Sequence, residues 1–308
     1  MSSTPHKSVL LEPWLALLQD RKQSIVVDGT LGAGGHAYAL LESHPEITKF
    51  IGIDQDESAL SIARQRLLPW KEKIDLVHAR FDQIDCVVKN QKVSSILLDI
   101  GVSSMQLDQG ERGFSFQLDG PLDMRMDRSS PLTAAEIVNC YPEAEIAKII
   151  WSFGEERHAR HIARRIVSRR EEKPFESSRE LADLISLSIP KKFQKNIHPA
   201  TLTFQALRIA VNRELEALSL VLPKAMDLLE PGGVLAIMTF HSLEDRIVKQ
   251  YFQQQASDKM QTCGPAMLQG EKEPTLNILT RKPIVATEKE MKENPRSRSA
   301  KLRAVEKR

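Results

Sequence analysis

The chain has 308 residues, which is enough for one or two domains with a full-sized core. Hydrophobic residues make up 41% and charged residues 27%, an ordinary balance for a soluble protein, and no apolar run is long enough to span a membrane. The formal net charge is only +2, so affinity for nucleic acid would have to come from clustered basic residues and not from overall charge.

Short apolar runs alternate with helical patterns through the first third of the chain. The predicted strands and helices are, in order, SIVVDG (24–29), AYALLESH (37–44), KFIGID (49–54), ESALSIARQRLL (57–68), IDLVHARF (74–81) and SSILLDIG (94–101). Because β-branched runs separated by short helices are typical of βαβ units, we predict a doubly wound, Rossmann-like α/β fold. Its parallel sheet would be buried on both faces.

The alternation ends near residue 105, where helical patterns take over. These lie at 133–140, 143–153, 156–170 and 177–189, followed by one long predicted helix over 206–229. The triplet PGG (231–233) then ends that helix before the strand VLAIMTF (234–240). A helix over 241–255, a polar loop to about 274 and two terminal strands, TLNILTRKP and SAKLRAVEKR, complete the chain. We therefore predict an inserted helical domain, 107–203, in a discontinuous α/β domain, 1–106 and 204–308.

The turn after the first predicted strand is rich in glycine: residues 26–36 read VVDGTLGAGGH. Glycine permits positive φ and close backbone approach, and the following helix offers free N–H groups. The G-x-G-x-x-G pattern of nicotinamide sites is absent. The spacing acid–Gly–x–x–Gly–x–Gly is of the kind found in sites for S-adenosylmethionine (SAM), with a purely structural turn as the alternative.

Further residues at predicted strand ends agree with a SAM site. Asp54 ends the second strand, where a carboxylate accepts hydrogen bonds from ribose hydroxyls. Phe81 follows the third strand, where its ring covers adenine or simply belongs to the core. Asp99 ends the fourth strand beside the expected crevice. His36, directly after Gly35, is either a contact of the cofactor or a cap at the start of the helix.

Nearly the whole chain resembles one family, the RsmH or MraW methyltransferases. The resemblance is carried by HKSVLL (6–11), DGTLGAGGH (28–36), IGIDQD (51–56), LLDIGVSS (97–104), QLDQGERGFSFQLDGPLDMRMD (106–127), FGEERHARHIARRIV (153–167), HPATLTFQALRIAVN (198–212), PGGVLAIMTFHSLEDRIVK (231–249) and NPRSRSAKL (294–302). It implies SAM-dependent methylation of the N4 amine of one cytosine in the decoding centre of 16S rRNA, in the bacterial small ribosomal subunit. The SAM contacts implied are Gly34, Gly35, His36, Asp54, Phe81, Asp99 and Gln106.

Two positions depart from the family pattern. Met105 stands where the family usually has proline, and Leu202 stands where it has arginine in HPATRTFQ. Both bear on substrate contacts more than on the glycine loop.

The residue types also indicate how an amine could be methylated. The lone pair of the cytosine amine is drawn into the ring, so the amine must be aligned with the methyl group and its hydrogens held by acceptors. Asp99 is the acceptor we predict, with hydroxyl or carbonyl oxygens of Ser103 and Ser104 as further catalytic candidates. Methylation at C5 would need a cysteine nucleophile. None of the chain's cysteines lies at a strand end beside the predicted crevice: they are Cys86, Cys140 and Cys263.

Basic residues cluster in three places that would bind RNA phosphates, although a charged helix face is often only solvated. They are Arg157, Arg160, Arg164, Arg165, Arg169 and Arg170; Lys191, Lys192 and Lys195; and Arg296, Arg298, Lys301 and Arg303. We expect one base to be splayed into a cleft between the two domains. Arg112, Phe114 and Phe116 are candidates for stacking there, with the core as the alternative place for Phe114.

Two other functions stay open at this point. One is a non-catalytic factor that binds rRNA during assembly of the small subunit, and the other is a SAM enzyme acting on DNA or protein amines. The cysteines are odd in number and form no CxxC pair, which disfavours both a disulfide framework and a zinc site. Methyl transfer from a sulfonium needs no metal. The N-terminus lacks a secretory pattern, so we expect a cytoplasmic protein, and the oligomeric state, a homodimer included, is left open.

Overall fold

The computed structural model describes residues 8–89, 91–190, 197–259 and 273–308. The chain divides into two compact units: Met1–Gly101 with Leu215–Arg308, and Val102–Glu214. We call the first the α/β unit and the second the helical unit.

The α/β unit is built on one mixed sheet. Its strands are β1 (Ile25–Asp28), β2 (Lys49–Asp54), β3 (Ile74–His78), β4 (Val93–Asp99), β5 (Leu229–Thr239), β6 (Leu276–Ile278), β7 (Ile284–Val285) and β8 (Lys301–Lys307). The order across the sheet is β3-β2-β1-β4-β5-β8-β6, with β7 paired to β8. The first five strands are parallel, whereas β8 is antiparallel to β5, β6 and β7. The carboxyl ends of β2, β1, β4 and β5 therefore lie side by side at one edge.

The helices of the chain follow the order of the sequence patterns. They are α1 (Leu11–Leu18), α2 (Gly35–Ser43), α3 (Glu57–Arg66), α4 (Ile84–Val88), α5 (Ser104–Asp108), α6 (Ala134–Cys140), α7 (Glu143–Gly154), α8 (Ala159–Glu172), α9 (Ser178–Ser188), α10 (Thr201–Asn212), α11 (Glu214–Leu228), α12 (Ser242–Ala256) and α13 (Glu288–Glu293). Among the described residues, none of these helices has the length and apolar character needed to cross a bilayer.

The sheet is covered on both faces, as predicted for a doubly wound fold. Consecutive strand residues point to opposite faces. Val27 of β1 packs in a core with α4, α11 and α12, while its neighbour Val26 packs with α1, α2 and α3. Because each face of the sheet meets a layer of helices, the central strands read as continuous apolar runs. The predicted α/β class is confirmed, and the C-terminal strands add an antiparallel part to it.

The helical unit has a core of its own. That core includes Ile137 of α6, Ile150 of α7, Ile162 of α8 and Phe204 of α10, all buried. The predicted boundary at residue 203 falls inside α10, whose apolar side belongs to this core. The unit therefore extends over Val102–Glu214 in place of the 107–203 predicted from the sequence.

The single helix predicted over 206–229 is wrong: α10 and α11 are separate helices. The break lies at Arg213, whose φ of 52° places it in the left-handed region that commonly ends a helix. Just before it, the Asn212 amide donates hydrogen bonds of 2.8 Å to the carbonyls of Met124 and Arg208. Apolar periodicity continues on both sides of this break, so the pattern does not reveal it.

The PGG triplet does not separate α11 from β5, contrary to the prediction. Strand β5 begins at Leu229 and carries the triplet, with Gly232 at a φ of 81° and a register shift against β4 between Val93 and Ser95. The triplet thus forms an irregularity inside the strand, where glycine supplies the positive φ.

The two terminal strands predicted from the sequence are confirmed as β6 and β8. Most of the polar loop predicted before them, and with it Cys263, lies outside the described residues. Cys86 and Cys140 are free thiols on exposed positions of α4 and α6.

Candidate functional site

The glycine loop joins β1 to α2, and its glycines face different surroundings. Gly32 and Gly34 have φ values of 53° and 75°, which disfavour other residue types. A Cβ added to Gly34 would touch Ala63 and Leu67 at 3.4 Å, and one added to Gly35 would collide with the Ser8 hydroxyl. A Cβ added to Gly32 would meet no atom within 4 Å. Gly32 is therefore the glycine whose backbone is open to a ligand.

Asp54, at the end of β2, holds this loop. Its Oδ2 accepts a hydrogen bond from the Gly32 N–H at 2.7 Å, and its Oδ1 accepts one from the Asp56 N–H at 2.8 Å. Burial raises the pKa of Asp54 to about 6, although hydrogen bonds from the backbone of Asp56, Gly32 and Gln55 favour the charged form. A carboxylate has about four acceptor sites, so a predicted hydrogen bond to a ribose is compatible with the contacts to the backbone.

Asp28, at the end of β1, was not predicted as a site residue. It is 2% exposed, and its Oδ1 accepts a hydrogen bond from the Thr30 N–H at 3.0 Å. Burial raises the pKa of Asp28 to about 7; nearby His36 opposes the shift, and Asp99 and Asp54 add to it. The only sequence signal was an acid directly before the glycine loop.

Asp99, at the end of β4, is joined to the same loop through its backbone N–H, which donates to the Thr30 Oγ1 at 2.5 Å. Its Oδ1 is buried and has no hydrogen-bond partner among the described residues. Burial raises the pKa of Asp99 to about 7, and the charge of Glu244 adds to the shift. Asp99 thus presents a buried acceptor atom that nothing in the described protein uses.

His36 lies between Asp99 and the N-terminal segment. Its Nε2 is 2.9 Å from the Val9 carbonyl oxygen and its Nδ1 is 3.7 Å from Asp99 Oδ2. A carbonyl oxygen only accepts hydrogen bonds, so Nε2 carries the ring hydrogen. Burial lowers the pKa of His36, which favours the neutral ring. His36 therefore anchors a buried corner of the site beside Asp99, and its predicted contact with SAM stays a prediction.

Phe81 starts a short 3-10 turn, Phe81–Gln83, directly beyond β3. It is 8% exposed and belongs to the core on one face of the sheet. A Cβ added to Gly29 would lie 3.5 Å from the Phe81 Cβ and only 2.5 Å from Leu98 Cδ2. Phe81 is thus next to the start of the glycine loop, and its role over adenine stays a prediction.

The other predicted site residues, Ser103, Ser104 and Gln106, lie in the helical unit. Ser103 Oγ accepts a hydrogen bond from the Gln106 N–H at 3.2 Å, and Gln106 Oε1 accepts one from the Ser103 N–H at 3.1 Å. This reciprocal pair is a capping box at the start of α5. Ser104 is the first residue of that helix. Their predicted catalytic and cofactor roles stay predictions.

Two of the residues predicted to stack on RNA are structural. Arg112 is 4% exposed and donates hydrogen bonds of 3.0 Å to the carbonyls of Arg125 and Met126. Phe114 is buried in the core of the helical unit, which was the alternative for it. Phe116 is half-buried and stacks on His198, with ring centroids 4.4 Å apart.

The arginines of α8 and the turn before it separate into two groups. Arg157, Arg160, Arg164 and Arg165 are exposed, while Ile162 and Ile166 are buried, as the helical spacing predicts. Arg169 and Arg170 instead fold back on the protein, donating to the carbonyls of Lys173 at 2.6 Å and Val138 at 2.8 Å. The exposed group, in α8 and the turn before it, is the part of this cluster that is available to phosphates.

The other predicted basic clusters are reduced by the structure. Arg303 is buried and pairs with Asp245, the Nε–Oδ1 distance being 2.6 Å, and Lys301 Nζ lies 3.2 Å from the same carboxylate. Arg296 and Arg298 are exposed. Lys191, Lys192 and Lys195 lie outside the described residues.

Comparison with known proteins gives the family. The chain matches the model of the MraW methylase family over residues 3–308. It belongs to the MraW methylase family. This confirms the resemblance predicted from the sequence, together with the predicted enzyme class, a SAM-dependent methyltransferase.

Similar proteins cover nearly all of this MraW methylase. The ribosomal RNA small subunit methyltransferase H of Heliobacterium mobile is 50% identical, over 98% of this chain and 98% of its own. The protein of that name from Protochlamydia amoebophila is 52% identical, over 98% and 97%. Among solved structures, an rRNA methylase from Streptococcus thermophilus is 14% identical with a TM-score of 0.43, covering 99% of each chain.

Proposed function

We propose that this MraW methylase transfers a methyl group from SAM to the N4 amine of a cytosine in the 16S rRNA of the small ribosomal subunit. The observation that carries the proposal is the near-full-length identity of about half to relatives named ribosomal RNA small subunit methyltransferase H. The blocks resembling this family, from residue 6 to residue 302, support N4 of cytosine as the acceptor.

The α/β unit has features that fit SAM. Gly32 offers an open backbone, Asp54 lies one strand along with oxygens available to ribose hydroxyls, and Asp99 has an unused buried acceptor. When bound, SAM supplies an electrophilic methyl group on a sulfonium. That cation would favour the charged form of Asp99, opposing the rise in pKa that burial causes.

The protein must then activate the N4 amine of cytosine, which is a poor nucleophile. An amine held by acceptors keeps its lone pair directed toward the methyl carbon, which is catalysis by orientation. Asp99 Oδ1 is the acceptor that we assign to the first amine hydrogen, because it is buried and has no partner among the described residues.

The exposed arginines of α8 support an RNA substrate. Phosphate contacts position RNA without specifying its sequence, so this face would orient the strand, and the base would be selected where the chemistry takes place. Methylation at C5 is not supported, because Cys86 and Cys140 lie on exposed helix positions and not at a strand end where a nucleophile is needed.

Mass spectrometry of 16S rRNA tests the proposal. In cells that lack the gene, one fragment should lose a single methyl group, and chromatography against methylcytidine standards should assign it to N4. A plasmid with the wild-type gene should restore the methyl group, whereas Asp99→Ala should not. An unchanged 16S rRNA, or a methyl group at C5, would refute the proposal. Normal methylation by Asp99→Ala would remove only Asp99 from the site.

A further inference from the structure

Buried polar atoms without a hydrogen bond are unevenly distributed in this protein. Among the described residues there are six such side-chain atoms, and four of them belong to Asp99, His241 and Glu244. Two of these four atoms, His241 Nε2 and Glu244 Oε1, face each other at 3.0 Å, which leaves Asp99 Oδ1 and His241 Nδ1 without a partner. Native proteins satisfy almost all buried polar groups, so these two atoms indicate a place where a ligand completes the hydrogen bonding.

The three residues lie at the carboxyl ends of neighbouring strands. Asp99 ends β4 and pairs in register with Met238 of β5, and His241 follows the end of β5 as the N-cap residue of α12. Asp99 and His241 therefore lie at the same edge of the sheet, with Glu244 in the first turn of α12. In sheets of this kind, ligands bind at this edge.

Glu244 is fixed by the backbone. It is 0% exposed, and its Oε2 accepts hydrogen bonds from the N–H groups of Phe240 at 2.8 Å and His241 at 3.2 Å. Its Oε1 lies 3.0 Å from His241 Nε2. A carboxylate held in this way orients the imidazole beside it, as in other histidine–carboxylate pairs.

We propose that His241 accepts one hydrogen of the target amine and then takes up the proton released by methylation, with Glu244 as the residue that positions the ring. This inference rests on the proposed function. Asp99 Oδ1 and a ring nitrogen of His241 would hold the two amine hydrogens.

The proton balance requires an acceptor of this kind. As N4 forms its bond to the methyl carbon, the carbon–sulfur bond breaks and its electron pair stays on sulfur. N4 is then positively charged, and loss of one N–H proton to a His241 ring nitrogen restores the neutral methylated amine. The imidazolium is stabilised by the adjacent Glu244 carboxylate.

A purely structural cap is the alternative for His241. His241 and Glu244 form a capping box at the start of α12, so the ring also faces the first turn of the helix, although neither ring nitrogen counts as fully hydrogen-bonded among the described residues. The two interpretations differ in what an added imidazole can do, since a small base can replace a missing proton acceptor but cannot replace a helix cap.

The test compares His241→Ala, His241→Gln and Glu244→Gln with wild type, on small ribosomal subunits isolated from cells that lack the gene. We expect kcat to fall by about a hundredfold or more in both His241 variants, with KM for the subunit and calorimetric affinity for SAM unchanged. Added imidazole should restore His241→Ala in a concentration-dependent manner. Glu244→Gln should lose kcat less severely, because the ring is then misoriented and not absent.

The matched control is His44→Ala. His44 is a buried histidine paired with a glutamate, its Nδ1 lying 2.8 Å from Glu46 Oε1, but it follows the C-terminal end of α2 and not the carboxyl end of β4 or β5. The His44→Ala variant should keep the wild-type kcat. Wild-type kcat in His241→Ala would overturn the inference, and so would a loss that imidazole does not restore. If the wild-type enzyme itself gave no N4-methylcytidine, the proposed function would fail first, and the two failures are thereby distinguished.

Discussion

Gly32, Gly34 and Gly35 lie within four positions of each other, yet a methyl group added to each would meet different surroundings. At Gly34 and Gly35 the added carbon would point into the protein. At Gly32 it would point into open space, and the Gly32 N–H is also the group that Asp54 holds. Sequence alone cannot rank these glycines, because which side of the loop is open depends on how α3 and the N-terminal segment pack against it.

Gly32→Ala should therefore weaken SAM binding by about tenfold or more, because the new methyl group occupies space that the cofactor would need. Alanine at a positive φ also costs roughly 1–2 kcal/mol in folding, and a control must share this cost. Gly232→Ala is that control: Gly232 has a φ of 81° and open space beside it, in the irregular start of β5. Calorimetry should show normal affinity in Gly232→Ala alone, and equal affinities in the two variants would remove Gly32 from the site.

The buried carboxyl of Asp28 predicts how stability depends on pH. Burial raises its pKa from 3.8 to about 7, so the folded state binds this proton more tightly than the unfolded state does. The free energy of unfolding contributed by Asp28 should then decrease as pH rises between these two values, by an amount on the order of a few kcal/mol. Asp54 and Asp99 act in the same direction.

Asp28→Asn should reduce this decrease, because the amide keeps an acceptor for Thr30 but does not ionise. Urea unfolding of the wild type and the variant between pH 5 and pH 8 is the measurement, with the variant gaining relative stability toward pH 8. An identical pH profile for both proteins would show that Asp28 is not the group that titrates.

At the scale of single elements, α8 shows what helical periodicity predicts and what it misses. The spacing separated Arg160 and Arg164 from the buried Ile162 correctly, because it follows from helix geometry alone. It did not separate the exposed arginines from Arg170, whose guanidinium reaches the Val138 carbonyl in another helix. Whether an arginine of α8 is exposed or bonded to another helix depends on tertiary contacts, which the helical spacing does not encode.

Arg164→Glu with Arg165→Glu should weaken binding of rRNA and leave SAM binding unchanged. The slope of log affinity against log salt should shrink by roughly 0.7 for each single-strand phosphate contact that is lost. Lys22→Glu with Lys71→Glu makes the same change in net charge on exposed positions of the α/β unit, and it should leave the slope near that of wild type. If both pairs changed the slope alike, overall charge and not the α8 face would be responsible.

The difference between local patterns and tertiary contacts also explains which elements were predicted correctly from the sequence. Strands β1 to β4 and helices α6 to α9 follow local apolar patterns, and the predicted positions agree with the structure to within a few residues. The break at Arg213 and the early start of β5 do not, since each depends on contacts between distant parts of the chain. Among the candidate site residues, Asp54 and Asp99 were predicted because they are acids at strand ends, and their roles stay predictions. His241 and Glu244 were not, because a histidine before a helix resembles an ordinary cap.

At the scale of the whole molecule, the helical unit interrupts the chain between two strands that pair with each other, β4 and β5. Its core is made entirely of residues within 102–214, from Val102 to Val211. The α/β unit, in contrast, needs both ends of the chain, since β5 and β8 come after the insertion. The two units therefore differ in whether a continuous stretch of sequence suffices to form them.

A fragment of residues 102–214 should consequently be helical and unfold cooperatively on heating. A fragment of residues 1–101 should not, because β4 would be left without β5, and α11 and α12 would be missing from one face of the sheet. Circular dichroism of the two purified fragments is the measurement. A gradual, non-cooperative melt of the 102–214 fragment would show that its core is not sufficient.

The hydrogen bonds that Asp54 accepts from the backbone limit how the proposed cofactor site can be redesigned. A donor with a bulkier sugar would need more room in the site, and the simplest change would be to shorten Asp54, the carboxylate that we propose to bind the ribose. The same side chain accepts hydrogen bonds from the backbone of Gly32 and Asp56, so a shorter residue would make space but would also lose the contacts that order the loop. Space for a bulkier sugar would have to be made by substitutions at other positions, with Asp54 unchanged.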